Sequence, residues 1–180
     1  MRAITLFPSS LAISFRDRPY CPKPMTAVDP ELTRIEPATL ADLDALIELT
    51  MGLFGTEQDF HPDRSRQEHG LRLILEQPNR GRIFVVRTDF KIFGMANLLF
   101  TISTAVGGFV LVLEDVIIHP DHRGHGYGTL LMNYVIHFAR EKEFKRITLL
   151  TDKKEEDSQR FFQRFGFEFS AMRPMRLLLS

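Results

Sequence analysis

The chain has 180 residues, 44% hydrophobic and 26% charged, enough to bury one sizeable core. Twenty-three basic residues balance twenty-three acidic ones, so no global charge steers it toward nucleic acid or an anionic membrane. Cys21 is the only cysteine, which excludes an internal disulfide and a cysteine-built metal site and fits a reducing compartment, the cytoplasm by default.

In chain order, residues 1–30 are expected to form a poorly ordered extension, punctuated by Pro19, Pro22, Pro24 and Pro30, ahead of a single domain over 31–180. Ala3 to Phe15 is uncharged, but Pro8, Ser9 and Ser10 break its apolar run, which argues against a signal peptide; Met25 is a candidate for the true start. No apolar run reaches the roughly 18 residues that a membrane helix needs. Thr39 followed by Asp42 reads as a variant N-cap box, and Leu40, Leu43, Leu46, Ile47 and Leu49 recur at helical spacing. A second helix is predicted from Pro62 to Glu76, stopped by Pro78-Asn79-Arg80-Gly81. Arg82 to Thr88 and Ile92 to Thr101 read as an antiparallel hairpin around Asp89-Phe90-Lys91. After a turn at Ala105-Val106-Gly107-Gly108, Phe109 to His119 reads as a central strand covered on both faces, in which Glu114 and Asp115 are the anomaly.

That strand runs into Arg123-Gly124-His125-Gly126-Tyr127-Gly128, with Thr129 opening a helix whose apolar stripe is Leu130, Leu131, Tyr134, Val135, Phe138 and Ala139. Glycines let the backbone turn with positive φ and approach a ligand closely, and a helix N-terminus attracts an anion. The ligand is therefore expected to carry phosphates. A P-loop needs a lysine directly after its last glycine, whereas none follows Gly128 before Lys142. A dinucleotide fingerprint has Gly-x-Gly-x-x-Gly at the first strand-to-helix turn, whereas here the spacing is Gly-x-Gly-x-Gly, late in the chain.

The remaining pattern, Arg-x-x-Gly-x-Gly after an apolar strand, resembles the acyl-CoA pyrophosphate loop of the GNAT superfamily of N-acetyltransferases. Ser158 to Phe167, with Phe161-Phe162 and Gly166-Phe167, is similar to that family's second block, and Arg34 to Leu43 to its opening strand and first helix. The resemblance implies an α/β fold with a mixed, mostly antiparallel central sheet flanked by helices and one parallel strand pair at the acetyl-CoA site. It implies acetyl-CoA as cosubstrate, with no metal, and transfer of its acetyl group to a primary amine by direct attack. Backbone groups of Val116, Ile117 and Ile118 would pair with the pantetheine arm, and Arg123, Gly124, His125, Gly126, Tyr127, Gly128 and Thr129 would wrap the pyrophosphate.

The amine must lose a proton, which needs a base within reach directly or through a water. Glu114 is the first candidate, because it shares strand parity with Val116 and Ile118; Asp115 is the second and points to the other face unless a bulge intervenes. The alternative is that either carboxylate only accepts loop N–H groups or pairs with Arg123. Phe162 stands where the family usually has a tyrosine that protonates the leaving thiolate, with Ser158 one turn earlier as a possible water holder, and Glu155 stands where it often has asparagine. His119, His122 and His125 recur every three residues, but Pro120 and the glycines deny them helical alignment, so they read as loop residues. His61, Asp63, Arg64 and Arg66 open the helix that borders the family's acceptor groove. Three classes stay open: a small-molecule N-acetyltransferase, a protein or peptide N-acetyltransferase, and a non-catalytic acetyl-CoA-binding module. Neither nucleic acid nor membrane is expected as a partner, and apolar Met175 to Leu179 suggests a homodimer.

Overall fold

The computed structural model describes residues 33–54, 62–89, 91–151 and 156–179. The expected N-terminal extension, His61, Phe90 and Glu155 lie outside the described residues.

Strand β1 (Arg34–Pro37) leads through a single 3-10 turn (Leu40–Asp42) into α1 (Leu43–Phe54). One Asp42 oxygen accepts from the Thr39 N–H and hydroxyl at 2.8 and 3.0 Å, and the other from Arg87 at 2.9 Å. The predicted cap thus also ties the start of the helix to the sheet. Helix α2 (Arg64–Leu75) is a residue or two shorter at each end than the spacing predicts. Asp63 takes the N-cap, its Oδ1 accepting from the Ser65 and Arg66 N–H groups at 3.0 and 3.2 Å, and Glu76 takes the C-cap.

Four further strands follow: β2 (Gly81–Arg87), β3 (Ile92–Ser103), β4 (Gly108–Ile118) and β5 (Ile147–Leu149). They form one sheet with β1, in the order β1-β2-β3-β4-β5. The first three pairings are antiparallel and β4–β5 is parallel, the expected mixed sheet. Helix α3 (Tyr127–Glu141) makes the crossover between the parallel pair. After β5 comes α4 (Glu156–Gln163), which ends three residues before Gly166, at φ +90°.

Side chains alternate across the sheet. Phe84, Val86, Ala96, Leu98, Leu111 and Leu113 bury one face against Leu131, Met132, Val135 and Ala139 of α3. Ile83, Val85, Met95 and Ile117 bury the other against Leu43, Leu46, Ile47 and Leu49 of α1 and Leu71 of α2. Coverage on both faces explains why these strands read as near-continuous apolar runs. Residues 164–179 carry no regular element, and Phe169, Met172, Met175 and Leu177 to Leu179 are exposed.

A bulge interrupts the alternation in β4. Leu98 pairs with Leu113 and Ala96 with Val116, so Glu114 and Asp115 together oppose Asn97. Leu113, Val116 and Ile118 all pack toward α3, with two residues between the first pair where regular alternation allows one.

Candidate active site

The bulge also shifts the phase of the backbone. Before it, the Leu111 N–H donates to the Arg146 carbonyl at 2.8 Å and the Phe109 carbonyl accepts from Lys145 at 2.9 Å, so odd-numbered residues turn toward β5. After it, the His119 N–H donates to the Phe93 carbonyl at 2.8 Å, so His119 and, by alternation, Ile117 turn toward β3. The N–H and C=O of Val116 and Ile118 therefore point the opposite way. Pairing with β5 stops at Leu113, so among the described residues they form an open edge. Of the three residues expected to offer backbone groups there, Ile117 is turned inward, its side chain buried on the α1 face.

Beyond Ile118, a 3-10 turn (Pro120–His122) delivers the chain to the glycine loop. Gly124 and Gly126 have φ of +79° and +86°, the left-handed region where a side chain is strained, and Gly126 is the N-cap of α3. The Leu130 N–H donates to the Gly126 carbonyl at 3.0 Å, so the amides of Tyr127, Gly128 and Thr129 precede the helical ladder. Gly128 serves a different purpose: a Cβ there would lie 3.3 Å from the Phe161 ring, so its absence lets α4 close on the start of α3. Arg123 donates from Nε to the Ile118 carbonyl at 3.0 Å, clipping the exposed loop back onto the end of β4. The Tyr127 ring meets Phe93 edge-on at 4.7 Å and anchors the helix start. Orphan amides, a helix N-terminus and left-handed glycines together suit a polyanion such as a pyrophosphate.

The bulge carboxylates lie at the start of the open edge. Asp115 is partly buried, and its Oδ2 accepts from Asn97 Nδ2 at 3.2 Å. Burial pushes the Asp115 carboxyl above the usual range, opposed by the Asn97 hydrogen bond. Glu114 is exposed, yet partial desolvation followed by the Asp115 charge pushes it upward too, while Arg176 pulls it down. The parity that grouped Glu114 with Val116 and Ile118 is lost at the bulge, and Asp115 instead joins Asn97. Arg123 makes no ion pair with either carboxylate among the described residues and donates instead to the Ile118 carbonyl.

Asn97 is the residue that sequence reasoning missed. It is 4% exposed, and its Oδ1 has no hydrogen-bond partner among the described residues. The available signal was one amide in the otherwise apolar run from Ile92 to Phe100.

Several other residues have local roles. Asp63 caps α2, Arg64 bridges Asp44 and Glu48 of α1 at 3.0 and 2.7 Å, and Arg66 pairs with Asp63 at 3.2 Å. His122 stacks on Phe93 at 4.4 Å, and desolvation lowers its pKa. His119 Nδ1 accepts from the Asp121 N–H at 3.4 Å. Among the described residues no three His, Cys, Asp or Glu side chains gather as a metal-binding group. Phe162 packs edge-on to Phe161 at 5.2 Å and to Phe167 at 5.8 Å.

Residues 43–167 match the family model described as the acetyltransferase (GNAT) family. Over 68 residues the chain is 37% identical to an uncharacterized N-acetyltransferase, ycf52, of Porphyra purpurea, covering 38% of this chain and 37% of that protein. It is 32% identical over 62 residues to the streptothricin acetyltransferase of Streptomyces lavendulae, covering 34% of this chain and 33% of that protein. The chain thus spans about a third of the length of these two relatives. Among solved structures, a possible acetyltransferase from Clostridium difficile 630 superposes with a TM-score of 0.76 at 16% identity, over 83% of this chain and 99% of that one. The aminoglycoside N-acetyltransferase AAC(6')-Iy in complex with CoA does so with a TM-score of 0.68 at 18% identity, over 81% and 94%. These structures share the fold, and the family match over residues 43–167 places the chain in the GNAT acetyltransferase family.

Proposed function

We propose that the chain transfers an acetyl group from acetyl-CoA to a primary amine of a small molecule by direct attack. The observation that carries this reading is the open β4 edge at Val116 and Ile118, continuous with the orphan amides that end at Thr129. The outward N–H and C=O of Val116 and the N–H of Ile118 suit an extended amide-bearing arm, which they would hold as an added strand, while the Ile118 carbonyl accepts from Arg123. Residues Arg123 to Thr129 suit the pyrophosphate. Acetyl-CoA supplies the activated acetyl thioester. A backbone N–H near Val116 would act as an oxyanion donor to the thioester carbonyl. Glu114 or Asp115, at the near end of the same edge, takes the proton from the acceptor ammonium directly or through a water.

A small amine as acceptor is supported by the names of two proteins similar to this chain, a streptothricin and an aminoglycoside acetyltransferase. The cytoplasm is the proposed location, consistent with the lone cysteine; no described helix is long and apolar enough to cross a membrane. A homodimer through the terminal segment is supported by the exposure of Met175 and Leu177 to Leu179. One observation favours a second reading, a non-catalytic acetyl-CoA-binding module: Phe162 has no hydroxyl with which to protonate a thiolate.

The deciding experiment is a screen with acetyl-CoA over aminosugars, polyamines, amino acids and peptides, reading free CoA with a thiol reagent. Release with small amines supports the proposal, and release with peptides alone moves the acceptor class. Tight acetyl-CoA binding with no release from any amine leaves the binding module.

A further inference from the structure

The Asn97–Asp115 pair is a polar intrusion into an apolar layer. On β2, Ile83 pairs with Asn97, and on β3 Met95 shares its face; both are fully buried in the α1-side core, and Ile117 follows Asp115 on the same face. A leucine has the branched outline of asparagine, somewhat enlarged, and would leave no polar atom unpaired in this environment. The amide instead spends one Nδ2 hydrogen on Asp115 Oδ2 at 3.2 Å and leaves Oδ1 without a partner among the described residues. An orphaned buried acceptor is costly, and it coincides with the one register shift in the β3–β4 ladder.

We propose that Asn97 is a positioning residue for acetyl transfer, which acts through Asp115 by fixing its carboxylate at the bulge. This deepens the preceding reading and rests on it. A hydrogen bond to the ionised form favours ionisation, so the Asn97 amide keeps the buried Asp115 available as a base. The charged groups bearing on the pair are Glu114, its neighbour in the bulge, and Arg176, which acts on Glu114.

Asn97→Leu keeps the branched outline, somewhat enlarged, and removes the hydrogen bond to Asp115, and Asn97→Ser keeps a hydroxyl that can donate. Two readouts are taken on each folded variant: the carboxyl-carbon NMR titration of Asp115, and the pH profile of kcat/KM with the best small amine from the screen. In Asn97→Leu the Asp115 midpoint and the acid limb of kcat/KM should both move upward. Its plateau kcat/KM should fall by about tenfold, the scale of one lost hydrogen bond to a charged group, with acetyl-CoA affinity unchanged. Asn97→Ser should recover part of each effect. An Asp115 midpoint and acid limb identical to wild type in Asn97→Leu overturn the proposal. If Asn97→Leu fails to fold, Asn97→Ser decides alone, a partial upward shift supporting the proposal and no shift overturning it. If no amine is acetylated, the reading of the site as an enzyme fails separately, and an unmoved NMR titration still overturns the positioning of Asp115.

Discussion

The two halves of β4 have opposite environments. From Gly108 to Leu113 the strand is sheet interior: β3 takes one edge, β5 pairs with residues 111 to 113 on the other, and Leu111 and Leu113 sit in the α3-side core. From Glu114 to Ile118 it keeps β3 but has no β5 partner, and it carries both carboxylates. One inserted residue divides them. By shifting the phase of side chains and backbone together, the bulge keeps Val116 and Ile118 packed toward α3 while aiming their peptide groups at the open edge. On the proposed reading, stability and chemistry share one strand because the bulge separates where each is carried.

The difference can be tested from the structural half outward. Leu113→Ala should cost about 2–5 kcal/mol of stability, because it empties a fully buried site beside α3. Urea unfolding measures the loss, and below the transition the acetyl-CoA dissociation constant should stay within about twofold, since no residue of the open edge or the loop is altered. A large loss of affinity from this substitution would erase the distinction between the halves.

In the other half, Asp115→Asn and Glu114→Gln are compared by pH profile. Removing the working base should lower kcat by roughly 10²-fold, and an unchanged profile for Glu114→Gln removes Glu114 from that role. Both pKa values are raised, so the acid limb of wild-type kcat/KM should lie above the ordinary carboxylate range, as a property of the coupled pair. The sign for stability follows from burial. Ionised Asp115 costs folding free energy above its raised pKa, and that cost disappears as pH falls through it toward the ordinary value. Asp115→Asn should therefore lack this gain on mild acidification, which thermal melts at a series of pH values will show.

At the loop, Gly126→Val forces a β-branched residue into φ +86°, a strain of about 1–3 kcal/mol if the conformation is kept. If the cradle relaxes instead, its amides lose their aim. Isothermal titration should show acetyl-CoA binding weakened by roughly tenfold, with KM for the amine less affected. An unchanged affinity would falsify the role of the cradle.

Much of this was legible in the chain itself. The apolar strands, both early helices, the glycine loop and the crossover before β5 follow from spacing and turn chemistry, because each is a local pattern. What was not legible depended on register. Glu114 shares parity with Val116 when counted along the sequence, and only the pairing of Ala96 with Val116 and Leu98 with Leu113 shows that the count slips. The same slip turns Ile117 inward and brings Asn97, 18 residues away, onto Asp115. Asp63 and Arg64 were ambiguous for another reason: a cap and an interhelical ion pair use the same residue types as a substrate groove.

The smallest expected effect lies on α4, which faces the loop across Gly128. Phe162 is packed edge-on between Phe161 and Phe167 at the margin of the α3-side core and is partly exposed. Phe162→Tyr should change stability by less than about 1 kcal/mol. Its effect on rate depends on whether protonating the leaving thiolate limits turnover. A thiol pKa near the reference value of about 8.5 makes the thiolate a tolerable leaving group that water can serve, so the gain in kcat should be a few-fold at most. That gain should grow at high pH, where water-derived protons are scarcest, until the tyrosine itself ionises near its reference value of about 10. A few-fold rise on that limb identifies the proton as the partial bottleneck. A flat comparison from neutral pH to about pH 9 would mean that the open edge and the bulge set the rate without help from α4.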